Sequence, residues 1–317
     1  PVDEKFEEPS TKIYYVNATS AGFLQDMGAV VNPRLLTETN DGRLLFLANL
    51  GDVTELFLFS DDLTSFEPVS IAWPNDTSAL STLAYDPGYF TIDGIVKAEN
   101  GDLYFSANNG LTGQEVWRLT LSDEPVTDTD LSSDEDSSSE SELYAELIMD
   151  FTPGSESSFP TQFAVHHDTL FLSVGGLTGV YDGESLGILR TSTGIRPVPT
   201  NFASLGDDTL ILAENGLFHF DGQRTELVTD QVDFNYELAA AIEFQGRVYS
   251  GCSVANHRAF QLWASDGTQE GTVSIANLTD PSPSLAEREK SSDPENFVEL
   301  NGLLYFQAFD FYAAQTD

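Results

Sequence analysis

The chain has 317 residues, of which 52 are acidic and 13 basic, for a net charge of −39. That balance excludes nucleic acid as a partner, because phosphate binding needs clustered Lys and Arg, and no run of 18 apolar residues offers a membrane-spanning helix. Apolar residues still make up 40% of the chain, with 22 Phe and 11 Tyr; helical periodicity is scarce, so the core is expected to be built of strands.

In chain order, the first apolar strand is 12–16. Six strands of one kind follow, at 43–47, 102–106, 169–172, 209–212, 247–250 and 302–306. A turn signal precedes each of the six: Asn40-Asp41-Gly42, Asn100-Gly101, His167-Asp168, Gly206-Asp207-Asp208, Gln245-Gly246 and Asn301-Gly302. Asn-Gly and Asp-Gly pairs supply the positive φ angles of tight hairpins. Val165, Leu205, Ile242 and Val298, a few residues upstream, mark a preceding strand of the same sheet. The copies are spaced by roughly 40 to 65 residues, the span of a four-stranded propeller blade with variable loops.

Two stretches preserve more of the unit. Residues 101–118 read GDLYFSANNGLTGQEVWR, and residues 261–273 read QLWASDGTQEGTV. Overlaid, they give an apolar strand, a small polar loop, a second strand ending in Trp, a Ser-Asp-Gly-Thr turn and a third strand. Residues 261–268, QLWASDGT, followed by Gly271-Thr272-Val273, resemble the ELWxxDGT repeat of secreted bacterial and marine proteins. Gly113-Gln114-Glu115-Val116-Trp117 resembles the upstream half of that repeat. The resemblance implies an all-β fold, a single β-propeller of six or seven four-stranded blades, within a larger extracellular protein that has no assigned catalytic residues. Glu55-Leu56-Phe57 and residues 188–194 read as eroded copies, and the copy at 209–230 keeps little beyond its strand and Asp221-Gly222.

Trp117 and Trp263 are expected at equivalent places, each filling the wedge between radially splayed sheets. Ser265, Asp266, Gly267 and Thr268 read as hairpin chemistry: Asp accepts backbone N–H groups, Gly takes positive φ and Thr bonds locally. The same turn resembles the Asp-box turns of sialidases, which are structural in that fold. A sialidase also needs an arginine cluster, and the nine Arg of this chain are scattered.

Residues 122–142, SDEPVTDTDLSSDEDSSSESE, cannot bury apolar area and read as a disordered insertion at a strand–strand turn. Ca2+ is the ion such carboxylates would suit, although the alternation that fixes ligands in an EF-hand loop is missing. Neither an initiator Met nor a signal peptide is present, so the chain is expected to be a processed or excerpted piece. The last repeat opens at 301–306 and stops before a Trp strand. Either strand 12–16 completes that blade, closing a ring, or the protein continues.

Cys252 is the only cysteine, so no internal disulfide forms; it reads as a buried thiol just after strand 247–250. His166, His167, His219 and His257 lack metal-ligand spacing, and the adjacent pair points to opposite faces of a strand. No nucleophile elbow, Walker or dinucleotide signature occurs, so neither a catalytic residue nor a cofactor is assigned. Three sequons, at Asn17, Asn75 and Asn277, are about as many as chance supplies; in a secreted eukaryotic protein they would be glycosylation points.

Two functional readings stand. One is a non-catalytic extracellular propeller, a structural, adhesive or assembly module whose partners are other protein subunits or glycans. The alternative is an extracellular propeller enzyme acting on glycans, with its site at the central channel. The acid excess and the scarcity of Lys suit a marine or halophilic exterior, where salt screens repulsion.

Overall fold

The structure, a computed structural model, describes residues 12–16, 21–39, 42–50, 53–60, 62–69, 71–72, 96–108, 111–121, 143–234, 240–254, 260–276 and 291–308. Among these, every regular element is a β-strand. The chain divides into two units, Pro1–Phe159 and Pro160–Asp317.

In the first unit, β1 (Lys12–Val16) pairs with β2 (Ala21–Asp26) as a two-stranded sheet. Next, β3 (Val30–Glu38), β4 (Leu44–Leu50), β5 (Val53–Phe59) and β6 (Phe66–Pro68) form a four-stranded antiparallel meander in sequence order. A second meander follows β7 (Ile71–Ala72): β8 (Val96–Lys97), β9 (Leu103–Asn108), β10 (Gln114–Leu121) and β11 (Leu143–Met149). The short β7 joins its outer edge, parallel to β11.

Strand alternation sorts the side chains of these two meanders. Leu45, Leu56 and Leu58 pack against Leu103, Phe105, Trp117 and Leu119. Phe46, Phe57 and Phe59 point the other way and pack with Met27 and Val30. Each such side chain, fully buried, contributes about 1.5–3 kcal/mol relative to exposure.

The second unit repeats the meander. The first copy is β12 (Thr161–His166), β13 (Thr169–Val174), β14 (Leu177–Tyr181) and β15 (Leu186–Ile188). The second is β16 (Pro199–Leu205), β17 (Asp208–Ala213), β18 (Gly216–Phe220) and β19 (Thr225–Thr229). In the third, β20 (Val232–Asp233) and β21 (Ala241–Phe244) both pair with β22 (Arg247–Val254), which leads through β23 (Gln261–Ser265) to β24 (Val273–Ala276). A final hairpin joins β25 (Glu295–Leu300) to β26 (Leu303–Gln307). The first strands β12, β16, β21 and β25 lie beside one another in succession, as blades do around an axis. The fold is a β-propeller of consecutive four-stranded blades.

All six strands singled out in the sequence fall at the second position of a sheet or hairpin; five place side chains in the core, whereas β26 leaves Leu303 and Tyr305 exposed. Two details differ from the sequence reading. Cys252 lies inside β22 rather than after it, because that strand runs on to Val254. Residues 188–194 are not a copy of the Trp strand: they leave the fourth strand, β15, and turn toward β16. The third strand of that blade is β14, at 177–181.

Candidate functional site

An antiparallel meander puts its turns at two opposite ends. The turns joining first to second and third to fourth strands share one edge of each blade. The turn joining second to third, and the connection to the next blade, share the other.

The register identifies a skeleton position shared by the blades. Trp117 lies opposite Phe105, and Trp263 opposite Ser250. The same place is taken by Phe57 opposite Phe46, Phe218 opposite Ile211, and Gly179 opposite Leu172. Trp117 is fully buried and its indole N–H donates to the Ala107 carbonyl at 3.0 Å. Trp263 is half-buried and packs on Leu210, Leu212 and Cys252, beside a cavity of about 20 Å³. A large ring in four of five blades fills the space between sheets; at Gly179 the Leu172 side chain closes in to 3.1 Å from where a Cβ would stand.

Three residues beyond this position comes the acidic turn. Asp266 Oδ1 accepts the Thr268 N–H and hydroxyl, at 3.0 and 2.7 Å. The Ser265 hydroxyl accepts the Gly267 N–H and meets Thr272 Oγ1. Gly267 has φ 84° and sits against Leu205, so a side chain there would be both strained and obstructed. Ser265, Asp266, Gly267 and Thr268 thus bond one another within the turn.

Asp182 and Asp221 make the same backbone capture, of Glu184 and Ser185 and of Gln223 and Arg224. Asp62 captures Thr64 and Ser60. Hydrogen bonds hold all four carboxyls below the ordinary range: from the Thr64 side chain at Asp62, the Ser185 backbone at Asp182, the Arg224 backbone at Asp221 and the Thr268 side chain at Asp266. The skeleton aromatic-x-x-Asp-Gly was legible at 218–222 and, with Gly for the ring, at 179–183.

At the opposite edge, a second device went unread in the sequence. Ser157-Ser158-Phe159-Pro160-Thr161-Gln162-Phe163 and Ser291-Ser292-Asp293-Pro294-Glu295-Asn296-Phe297 are one motif. Both enter a first strand, and both carry positive φ at the third and sixth residues: 50° at Phe159, 56° at Gln162, 41° at Asp293 and 55° at Asn296. In the first, the Ser157 hydroxyl accepts the Gln114 N–H, while Ser158 donates from both N–H and hydroxyl to the Glu115 carboxylate. In the second, the Ser291 hydroxyl accepts the Phe260 N–H, and Ser292 donates to Gln261 Oε1. Glu115 is fully buried and also accepts the Phe151 N–H. Burial pushes its carboxyl up, partly offset by those hydrogen bonds.

Exposed apolar side chains mark this edge as well. Leu50 and Val254 end second strands, Leu111 stands in a second-to-third turn, and Phe159 and Ile195 stand in connections between blades. The acidic turns occupy the other edge, where Leu63 in a third-to-fourth turn and Leu300 and Leu303 beside the last first-to-second turn are also exposed. The acidic stretch 122–142 falls between β10 and β11, a third-to-fourth connection; it lies outside the described residues, as do Asn17, Asn75, Asn277 and His257.

The remaining reactive groups among the described residues are Cys252 and three histidines. Cys252 is buried, which raises its thiol well above the ordinary range and makes it a poor nucleophile. His166 is half-buried and His167 exposed in the turn. Among the described residues, no three His, Cys, Asp or Glu side chains come together as a metal site. No helix among them is long and apolar enough to cross a membrane.

No family model matches the sequence, and no curated protein does. Among solved structures, the chain is similar to the β-propeller domain of the Trilobed protease from Pyrococcus furiosus, at 14% identity over 81% of this chain and 73% of that one, with TM-score 0.40. It is also similar to virginiamycin B lyase from Staphylococcus aureus, at 14% identity over 74% and 67%, TM-score 0.39. A third is TolB from Acinetobacter baumannii, at 10% identity over 83% and 58%, TM-score 0.37. The chain spans 42% of a puromycin hydrolase that it matches. The blade assignment rests on the strand order and register given above.

Proposed function

We propose that this chain is a non-catalytic propeller module of the ELWxxDGT-repeat type, working outside the cell to bind or assemble with protein subunits or glycans. The observation that carries the reading is the difference between the blade edges. One carries acidic turns whose Asp side chains are bonded to their own backbone, with Leu63, Leu300 and Leu303 exposed beside them; the other presents Leu50, Leu111, Phe159, Ile195 and Val254 to solvent along turns without such acids. Rigid sheets with turns of unequal length suit recognition, since loops vary at little cost to the scaffold. Apolar side chains held on such turns provide contact area that the charged remainder of the surface does not.

Light scattering of the purified protein in marine salt, with a glycan array and a glycosidase screen, tests this. Assembly or glycan binding that is lost in a Leu111→Asp, Phe159→Asp double variant of unchanged fold is the expected result. A monomer that instead hydrolyses a glycan, and loses turnover when acidic residues of the first strands such as Glu243 and Glu295 are replaced, would establish the enzyme reading.

A further inference from the structure

Three of the four histidines in the chain gather at one place, the first-to-second and third-to-fourth edge of the second unit. The turn at 206–208, between β16 and β17, is held from both sides. From the preceding blade, His166 Nδ1 meets Thr209 Oγ1 at 3.0 Å, and His167 Nε2 meets the Gly206 carbonyl at 3.0 Å. From the following blade, Glu243 Oε2 accepts the Gly206 N–H at 3.3 Å. Within the blade, His219 Nε2 bonds Asp208 Oδ2 at 2.8 Å. Gly267 of the next acidic turn lies over Leu205 and the His219 ring, with its Cβ position 3.0 and 3.6 Å from them. One turn therefore ties three consecutive blades.

We propose that this junction is an acid-sensitive latch, in which protonation of His166 loosens β12 from β17 and releases the turn that three blades share. The His166 ring lies near the Phe171 ring, with centroids 5.7 Å apart, and beside Thr209. The charged and titratable groups around it are His167 and Asp168 on its own hairpin, Asp207 and Asp208 on the shared turn, His219 on β18 and Glu243 on β21. The recorded bonds commit Asp208 to His219 and Glu243 to Gly206, and none runs from a carboxylate to His166. A proton on His166 therefore brings a poorly solvated charge into the joint, next to His167. Burial first, and His167 second, hold the imidazole down to about 4.

The direction of the effect follows. A histidine bound more weakly to its proton in the folded state contributes stability above its unfolded value near 6.5, and loses it as pH falls toward the folded value. His219 bonds Asp208 within its own blade rather than β12, so it serves as an internal control.

The test is amide exchange at β16, β17 and β21, converted to opening constants from pH 7 to pH 4 in high salt. In the native protein, opening should increase by about 100-fold, because at pH 4 the ring of the folded state is itself half protonated. In His166→Gln, whose amide still reaches Thr209 but does not titrate, that increase should vanish; His219→Gln should keep it. Equal pH dependence in the native protein and His166→Gln overturns the latch. Should His166→Gln not fold, NMR titration of the native ring decides: a midpoint near 4 supports the latch, and one near the ordinary 6.5 overturns it.

Discussion

The two best-preserved repeats, those of Trp117 and Trp263, share strand order, register and the Ser-Ser joint, yet differ in how each is closed. Around Trp117 the ring is fully buried, and the joint is built on a buried carboxylate, Glu115. Around Trp263 the ring is half-buried beside a small cavity, and the joint is built on a neutral amide, Gln261. The geometry therefore belongs to the serines and the backbone they hold, and charge at the acceptor is optional. What the Glu adds is a third captured donor, the Phe151 N–H, which fixes the start of the connection.

The largest effect expected from breaking this comparison is at the rings. Trp117→Ala should cost about 3–5 kcal/mol, the range for removing a large buried aromatic, and also strands the Ala107 carbonyl. Trp263→Ala should cost about half as much, because part of that ring is already exposed and the neighbouring space is open. Urea unfolding of the two variants measures it; equal losses would mean the burial difference has no energetic weight.

Next in size is the effect of salt. A net charge of −39 makes repulsion grow as the screening length lengthens, from about 3 Å at 1 M to about 30 Å at 0.01 M. Melting temperature should fall markedly when NaCl is removed. The Trp117 blade, whose third-to-fourth connection carries residues 122–142, should loosen before the Trp263 blade in amide exchange. An unchanged melting point would refute a salt-adapted surface.

Exchanging the joints gives a smaller shift. Glu115→Gln leaves one side-chain N–H facing a backbone N–H, at a cost of about 1–2 kcal/mol. It should also remove a pH dependence: burial raises the Glu115 carboxyl, so the native joint gains stability as pH falls through that raised value, and the amide does not. Ser158→Ala and Ser292→Ala should each cost about 1 kcal/mol. A much larger loss at one would show that the two joints are not equivalent.

The smallest effect lies in the acidic turns. Asp182, Asp221 and Asp266 are held below the ordinary carboxylate range by hydrogen bonds from their own turns. Their contribution is present above the unfolded value near 3.8 and is lost as pH falls below it. Asp→Asn at any one should flatten acid unfolding slightly below pH 4, a change best read as an altered midpoint of acid titration.

Much of this protein could be read before its structure. The strands and their turns were legible because they depend on neighbours in sequence: alternation places Leu103 and Phe105 inward, and Asn100-Gly101 turns the chain back. Trp117 and Trp263 were found because few residues fill a wedge between sheets. The third strand at 177–181 was missed because Gly179 stands where a ring was sought, and residues 188–194 offered a better string but the wrong place in the sheet.

What the sequence determined by itself is therefore the local grammar: second strands placed by turn residues with positive φ, and acidic turns whose donors lie two or three residues away. Tertiary structure alone decided everything that depends on residues far apart in the chain. Glu115 became a buried acceptor only when Ser158 returned to it. Gly206 became shared only when His167 and Glu243 reached it from two other blades. The acidic turns and the Ser-Ser joints came to opposite ends of the blades only when the meanders folded. The physical reason is range: a turn is specified by its own short stretch of backbone, whereas a joint between blades needs partners that only the packed sheets bring within hydrogen-bonding distance.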